Sequence, residues 1–121
     1  MYDMVSIMAH VQRTLPYVKA LRRIQSPKQR QTLFKNMPKF VVDDIAEIIY
    51  NIIIGSAHIS PKYKQRLGKV RHQLYKIIKS PTTTDRRTAL YKQSGGGIFT
   101  ILLPALATVI SSIIAATKKN D

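Results

Sequence analysis

Side chains able to perform acid–base or metal chemistry are few and scattered in this chain of 121 residues. Its three histidines lie far apart, at His10, His58 and His72, and it has no cysteine. Three of its six carboxylates fall close together, at Asp43, Asp44 and Glu47, where the pattern predicts an exposed, solvated helix face or, as the alternative, a docking patch for a basic neighbour. The chain has no phosphate-binding loop, zinc signature or Ser-His-Asp order. We therefore expect no enzymatic activity, no metal and no cofactor.

Positive charge is the chemical feature that dominates the sequence. The chain has 20 Lys and Arg against 6 Asp and Glu, a formal net charge of +14. Ten of the basic residues lie between Lys62 and Lys92, where Asp85 is the only acidic residue. Such a density of cations indicates a polyanionic partner, and we expect non-specific contact with double-stranded DNA because no base-reading motif is present. The candidate nucleic-acid-binding residues are Lys62, Lys64, Arg66, Lys69, Arg71, Lys76, Lys79, Arg86 and Arg87.

The C-terminal part of the chain is apolar instead. From Ile98 to Ala116 there are 19 residues without a charged side chain, close to the roughly 20 that cross a membrane as a helix. Its bulky apolar residues are Ile98, Phe99, Leu102, Leu106, Val109, Ile110, Ile113 and Ile114. The glycines that precede it, Gly95, Gly96 and Gly97, are expected to form a hinge or a cleavable joint. Periodicity leaves two roles open: a helix that lies in or crosses a membrane, and a buried helix of the same fold.

The spacing of apolar residues predicts that helices position these groups. The predicted helices are Met4–Ile24, kinked or split at Pro16, then Pro27–Asn36, Pro38–Ile54, Pro61–Lys79 and Thr84–Lys92. Each Ser-Pro pair, at 26–27, 60–61 and 80–81, predicts either an N-cap followed by proline or a break. The predicted fold is all-α, a small basic bundle of several short helices followed by a glycine hinge and a C-terminal apolar helix. Its parts are a basic domain (1–94), the joint (95–97), the apolar helix (98–117) and a polar tail (118–121).

Two of these helices have further features. The third ends at Gly55, and its last residues, Ile52 to Ile54, would also suit a buried strand, although the helical period favours a helix. In the fourth helix an apolar stripe includes Tyr63 and is expected to face the core. Tyr75 and Tyr91 are expected at the surface, where they could stack on bases.

The order of these parts resembles a known family of viral proteins. A basic segment, a glycine joint and an apolar segment reading GGGIFTILLPALATVISSIIAA (95–116) are similar to the core protein X precursor of adenoviruses. Upstream, IAEIIYNIIIGSAHISPKYKQRLGKVRHQLYKIIKS (45–80) looks like the small Lys/Arg-rich helical proteins of adintoviruses and other Maverick or Polinton-type elements. Over the whole chain this second likeness is the closer one.

The resemblance implies a core or minor capsid protein that condenses packaged DNA, located in the virion and, during assembly, in the host nucleus. It also implies cleavage by a viral cysteine protease at the joint of residues 95–97, and a tail that inserts in a membrane or docks on the inner capsid surface. The chain departs from the adenoviral pattern in being less rich in Arg. In addition, Gln93 stands where that protease usually requires a large apolar residue.

Two other functions remain open from the residues. One is a membrane protein whose basic domain is held against anionic lipid headgroups. The other is a helical interaction module that binds an acidic protein partner.

Overall fold

The computed structural model describes residues 4–55, 59–94 and 98–119 of the chain. Their helices are α1 (Met4–Arg23), α2 (Pro27–Asn36), α3 (Lys39–Ile53), α4 (Pro61–Lys69), α5 (Arg71–Ile78), α6 (Thr83–Ser94) and α7 (Ile98–Lys119). The described ranges contain no strand, so the all-α prediction with a C-terminal apolar helix is confirmed. The residues of the predicted hinge, Gly95 to Gly97, lie outside the described residues, as does His58.

The first three helices begin and end within one residue of their predicted bounds. Pro16 lies inside α1, which is not split there. Ile52 and Ile53 belong to α3, so the strand alternative is wrong. Gly55 follows the end of this helix with a φ of 82°, a left-handed conformation that glycine adopts without steric strain.

Serine side chains start two of the helices as predicted. Ser26 accepts a hydrogen bond from the backbone N–H of Gln29 at 3.3 Å, and Ser60 accepts one from that of Tyr63 at 3.4 Å. In both cases proline occupies the first turn, where a missing N–H costs nothing. Capping by the serine satisfies one of the helix's first N–H groups, which fixes where α2 and α4 begin.

The third Ser-Pro pair marks a break and not a helix start. The Ser80 hydroxyl donates a hydrogen bond to the carbonyl of Lys76 at 2.9 Å, back into the preceding helix. The next helix, α6, begins at Thr83 and is capped by Thr82, whose hydroxyl accepts from the N–H of Asp85 at 3.1 Å. The predicted helix Thr84–Lys92 therefore begins one residue too late and ends two residues too early.

The predicted single helix Pro61–Lys79 is wrong, because the chain breaks between α4 and α5 at Val70. The backbone there has φ −113° and ψ 16°, and the Val70 N–H bonds to the carbonyls of Leu67 and Gly68. Gly68 weakens the helix by about 1 kcal/mol relative to alanine, and the β-branched Val70 is also a poor helix former. The apolar stripe still faces inward on both pieces, because Leu67, Leu74 and Ile77 are all buried.

The central helix of the fold is α3, which packs against α1, α5, α6 and α7. Because neighbours surround it, its buried residues cover far more than one narrow stripe. They are Val41, Val42, Asp44, Ile45, Ala46, Ile48, Ile49 and Ile52. A helix enclosed to this extent is held by the hydrophobic effect, at about 1.5–3 kcal/mol for each large side chain that is fully buried.

The apolar helix α7 belongs to the same hydrophobic core as the basic helices. It packs mainly on α1, and the ring of Phe99 meets that of Phe34 edge to face at 5.3 Å between centroids. Six of its predicted bulky residues are buried and Ile113 and Ile114 are partly buried; the six are Ile98, Phe99, Leu102, Leu106, Val109 and Ile110. Of the two roles that periodicity left open, the fold contains the buried helix.

Asp44 is buried and not solvated, contrary to the predicted exposed acidic face. Its side chain is 3% exposed and lies against α1. It accepts hydrogen bonds from Arg13 Nε at 2.8 Å, Arg13 Nη2 at 3.0 Å and Thr14 Oγ1 at 2.7 Å. His10 Nδ1 lies 3.0 Å from the same carboxylate. Burial of a carboxylate is tolerated only with partners of this kind, so this network ties α1 to α3.

The neighbouring carboxylate, Asp43, ties α6 to α3. It accepts hydrogen bonds from Thr83 Oγ1 at 2.9 and 3.0 Å and from Arg86 Nη1 at 2.8 Å. Of the three predicted solvated carboxylates, two are thus used in contacts between helices, while Glu47 is half-buried.

We predict that Asp44→Asn lowers the free energy of unfolding by about 1–3 kcal/mol, because the buried hydroxyl of Thr14 and the part-buried guanidinium of Arg13 lose a charged acceptor. The matched control, Asp85→Asn, removes an exposed carboxylate near the start of α6 and should change stability by less than about 1 kcal/mol. Urea denaturation of both variants measures the difference. Equal losses would contradict a structural role for the Asp44 network.

Candidate nucleic-acid interface

Seven of the nine predicted DNA-binding residues lie exposed on α4 and α5 or at the end of α5. They are Lys62, Lys64, Arg66, Lys69, Arg71, Lys76 and Lys79. We call this set the α4–α5 basic surface. The segment 61–79 contains no Asp or Glu, and among the described residues none of the seven forms an ion pair. The local charge of +7 is therefore not neutralised within this part of the fold.

Helical spacing arranges these cations in rows. On α4, Lys62, Arg66 and Lys69 follow the i, i+4, i+7 pattern of one helix face and span about 10 Å along the axis. Leu67 lies on the opposite side of α4 and is buried in the core. Because the core fixes how α4 is rotated about its axis, it also fixes which way this row of cations faces.

On α5 an aromatic ring orders two of the cations. The guanidinium of Arg71 lies 5.4 Å from the ring centroid of Tyr75 and donates a hydrogen bond to its hydroxyl at 3.1 Å. Lys79 Nζ lies 5.5 Å from the same centroid. These contacts place Arg71, Tyr75 and Lys79 in one row at i, i+4 and i+8, where cation–π attraction favours extended, ordered side chains.

The three tyrosines of the basic stretch differ in exposure. Tyr91 is at the surface as predicted, whereas Tyr63 and Tyr75 are both half-buried. Since two cations share the ring of Tyr75, this residue positions the basic groups around it. A role in positioning Arg71 and Lys79 is not apparent from the sequence alone, because the i, i+4 spacing also fits a plain solvent-facing helix.

The remaining two predicted residues, Arg86 and Arg87, make their contacts within the fold. Arg86 bonds to Asp43 and, through Nε, to the carbonyl of Ser80 at 3.2 Å. Arg87 Nη1 donates to the carbonyl of Phe34 at 2.8 Å and also to that of Met37. These carbonyls lie at the C-terminal end of α2, which has no continuing helix to satisfy them. The structure therefore places both guanidiniums between helices and apart from the α4–α5 basic surface.

The outer face of α7 is lined by small side chains. Between residues 98 and 115 its exposed residues are Thr100, Thr108, Ser111, Ser112 and Ala115. The stretch Ile98–Ala115 is long and apolar enough to cross a membrane by length and composition, with a mean hydropathy of 2.3, and half of it is buried within the fold. Its bulky side chains are thus held by protein contacts, and the residues left facing solvent are mostly polar.

No metal-binding cluster is formed by the described residues. His72 lies exposed on α5 with no carboxylate beside it, and the part of the chain that the structure describes brings no three of His, Asp and Glu together. His10 does meet Asp44, but Arg13 and Thr14 also bond to that carboxylate. The Asp44 network is therefore suited to joining two helices.

A comparison of the chain with models of known protein families, with curated proteins and with solved structures finds no match.

The arrangement of α4 and α5 is suited to binding a polyanion. The chemistry of the α4–α5 basic surface lies in its seven exposed cations, which can each donate hydrogen bonds to phosphate oxygens. Lysine and arginine stems are flexible, so they can follow a phosphate backbone without reading base edges.

We predict that two arginine-to-alanine variants separate the internal cations from the surface cations. Arg87→Ala should lower the free energy of unfolding by about 1–3 kcal/mol, because the carbonyls at the end of α2 lose a charged donor. Arg66→Ala, on the exposed face of α4, should change it by no more than about 0.5 kcal/mol. Thermal and urea unfolding followed by circular dichroism measure both. A larger loss from Arg66→Ala than from Arg87→Ala would contradict this assignment.

Proposed function

We propose that this protein binds double-stranded DNA without sequence preference through the α4–α5 basic surface. The observation that carries the proposal is the set of seven exposed cations on two consecutive helices that contain no acidic residue. An ordinary solvent-facing helix mixes both signs of charge, which cancels its field beyond a short distance. The field of this surface is not cancelled locally and would attract a polyanion.

DNA supplies a matching density of negative charge. A duplex carries one phosphate charge per about 1.7 Å of its axis, and α4 and α5 together present about 25 Å of helix. Over that length a duplex therefore has more phosphates than the surface has cations. Each contact releases condensed counterions, so full engagement predicts a salt slope of about −6 in a plot of log affinity against log salt concentration.

We further propose that the DNA is packaged DNA, and that the protein is a core or minor capsid protein of a virion. This part of the proposal is supported by the resemblance of the chain to small basic proteins of adenoviruses and of Maverick or Polinton-type elements. A protein that condenses DNA of any sequence needs contacts to the backbone and no base readout, which fits the exposed lysines of α4 and α5.

A membrane role of the apolar helix would require a change in structure. Anchoring to a membrane through Phe99 or Leu102 requires these side chains to leave the core, since both are fully buried. Docking on the inner capsid surface could instead use the outer face of α7 as it is, with Thr108 and Ser111 exposed. We therefore assign α7 to the fold first and to capsid docking second.

We predict that Lys62→Gln, Lys69→Gln and Lys76→Gln combined reduce the magnitude of the salt slope by about 2–3 units and weaken binding to all duplex sequences alike. The matched control, Lys28→Gln, Lys35→Gln and Lys92→Gln combined, removes the same charge from exposed lysines of α2 and α6. It should change the slope by less than one unit. Fluorescence anisotropy of a labelled random-sequence duplex across a salt series measures both.

The titration requires the full chain and not a version that lacks α7. Deleting α7 would remove Phe99, Leu102 and Leu106 from the core and leave α1 without its main neighbour. Equal effects of the two triple variants would show that only net charge matters, and would contradict an interface on α4 and α5.

A second candidate function is membrane binding, which is favoured by the length and hydropathy of α7. The DNA-binding proposal predicts that the full chain adsorbs to anionic vesicles at low salt and is released at high salt, since screening removes electrostatic attraction. It also predicts no binding to neutral vesicles at high salt. Vesicle co-flotation measures this, and retention on neutral vesicles at high salt would favour the membrane function.

A further inference from the structure

A five-residue motif that joins a Ser-Pro pair to two basic residues occurs twice in the chain. It reads Ser-Pro-Lys-x-Lys/Arg, at residues 26–30 and again at 60–64. Both copies have the same local structure, with an extended serine (ψ 123° and 152°) that caps a helix through its hydroxyl oxygen. A serine followed by proline, with basic residues close behind, is the kind of site that proline-directed protein kinases phosphorylate.

The three Ser-Pro serines differ in accessibility and in position. Ser60 is exposed, whereas Ser26 and Ser80 are half-buried. The Ser80 hydroxyl donates to the Lys76 carbonyl, and no basic residue directly follows its proline. Ser60 alone among the three lies at the first turn of α4, two residues before Lys62 of the α4–α5 basic surface.

We propose that Ser60 is a phosphorylation site of a proline-directed protein kinase, and that its phosphate weakens DNA binding by the α4–α5 basic surface. The second half of this inference rests on the proposed function. In the reaction the Ser60 hydroxyl oxygen attacks the γ-phosphorus of ATP. The bond from that phosphorus to the bridging oxygen breaks, ADP leaves with the electron pair, and the hydroxyl proton passes to the general base of the kinase.

The folded chain can hold a phosphate at this position. The first N–H groups of a helix lack backbone partners, and the helix dipole favours negative charge at this end. The first turn of α4 also has two lysines, Lys62 and Lys64, and no carboxylate. Phosphorylation at a helix start with such neighbours adds charge-assisted hydrogen bonds and does not unfold the helix.

The same phosphate would act directly on DNA binding. It carries a charge of about −1.5 to −2 at neutral pH and would sit at one end of the α4 row of cations. It would repel DNA phosphates there and occupy Lys62 and Lys64 as internal partners. Loss of about two cations from the interface corresponds to a decrease of about two units in the magnitude of the salt slope.

Substitutions at the cap separate charge from folding. Aspartate and asparagine are both as good as serine at an N-cap, so Ser60→Asp and Ser60→Asn should unfold at the same temperature as the unmodified chain. We expect Ser60→Asp to bind a random-sequence duplex about three- to tenfold more weakly than Ser60→Asn at low salt. Ser26→Asp places the same charge at the start of α2 and should weaken binding less than twofold.

The site itself is tested without DNA. The full chain is incubated with ATP and a purified proline-directed kinase, and the modified residues are mapped by mass spectrometry. We expect phosphate on Ser60 at a higher rate than on Ser26 or Ser80, and loss of that signal in Ser60→Asn.

The outcomes are distinguishable from those of the proposed function. An unmodified chain that does not bind the duplex overturns the DNA-binding proposal and with it the proposed switch, while the kinase assay still tests the site. A chain that binds, with Ser60→Asp as tight as Ser60→Asn, overturns the switch and leaves DNA binding intact. Absence of phosphate on Ser60 in the kinase assay overturns the site.

Discussion

The packing of this protein depends on two carboxylates of α3 that are paired within the fold. Asp44 accepts hydrogen bonds from Arg13 and Thr14 of α1 and lies beside His10 of the same helix. Its side chain is almost fully buried. Such a buried charge is stable only while its partners remain in place, so it fixes the register between the two helices as well as their contact. Asp43 plays the corresponding part toward α6, through Arg86.

This use of the carboxylates has a consequence for the surface. A chain with 20 basic and 6 acidic residues has few carboxylates to neutralise its cations, and two of the six are occupied inside. The segment that forms α4 and α5 has none of its own. Among the described residues the cations there remain exposed and have no carboxylate partner, and this unneutralised charge is what the proposed DNA binding would use. Folding and the proposed DNA binding thus draw on different charged residues of the same chain.

The apolar helix has a composition that suits both a membrane and a protein core. The stretch Ile98–Ala115 of α7 is long and apolar enough to cross a membrane. Half of it is nevertheless buried in the fold, where α7 packs against α1, α3, α4 and α6. Placing its bulky side in the protein core satisfies the same hydrophobic effect that a membrane would satisfy. The side facing solvent carries threonine and serine, and Thr108 bonds to the carbonyl of Pro104 at 2.9 Å within the helix.

The sequence by itself determined the properties that depend on neighbours a few residues apart. These include the helical period, the capped starts at Ser26 and Ser60, the stop at Gly55 and the dense positive charge from Lys62 onward. Only the tertiary structure decided which charged groups are internal, because Arg13 meets Asp44 and Arg87 meets Met37 across separations of 31 and 50 residues. The break at Val70 and the burial of α7 were likewise decided only by the tertiary structure. Local spacing shows which residues share a face, but the element packed on that face is set by the whole chain, and burial follows from that packing.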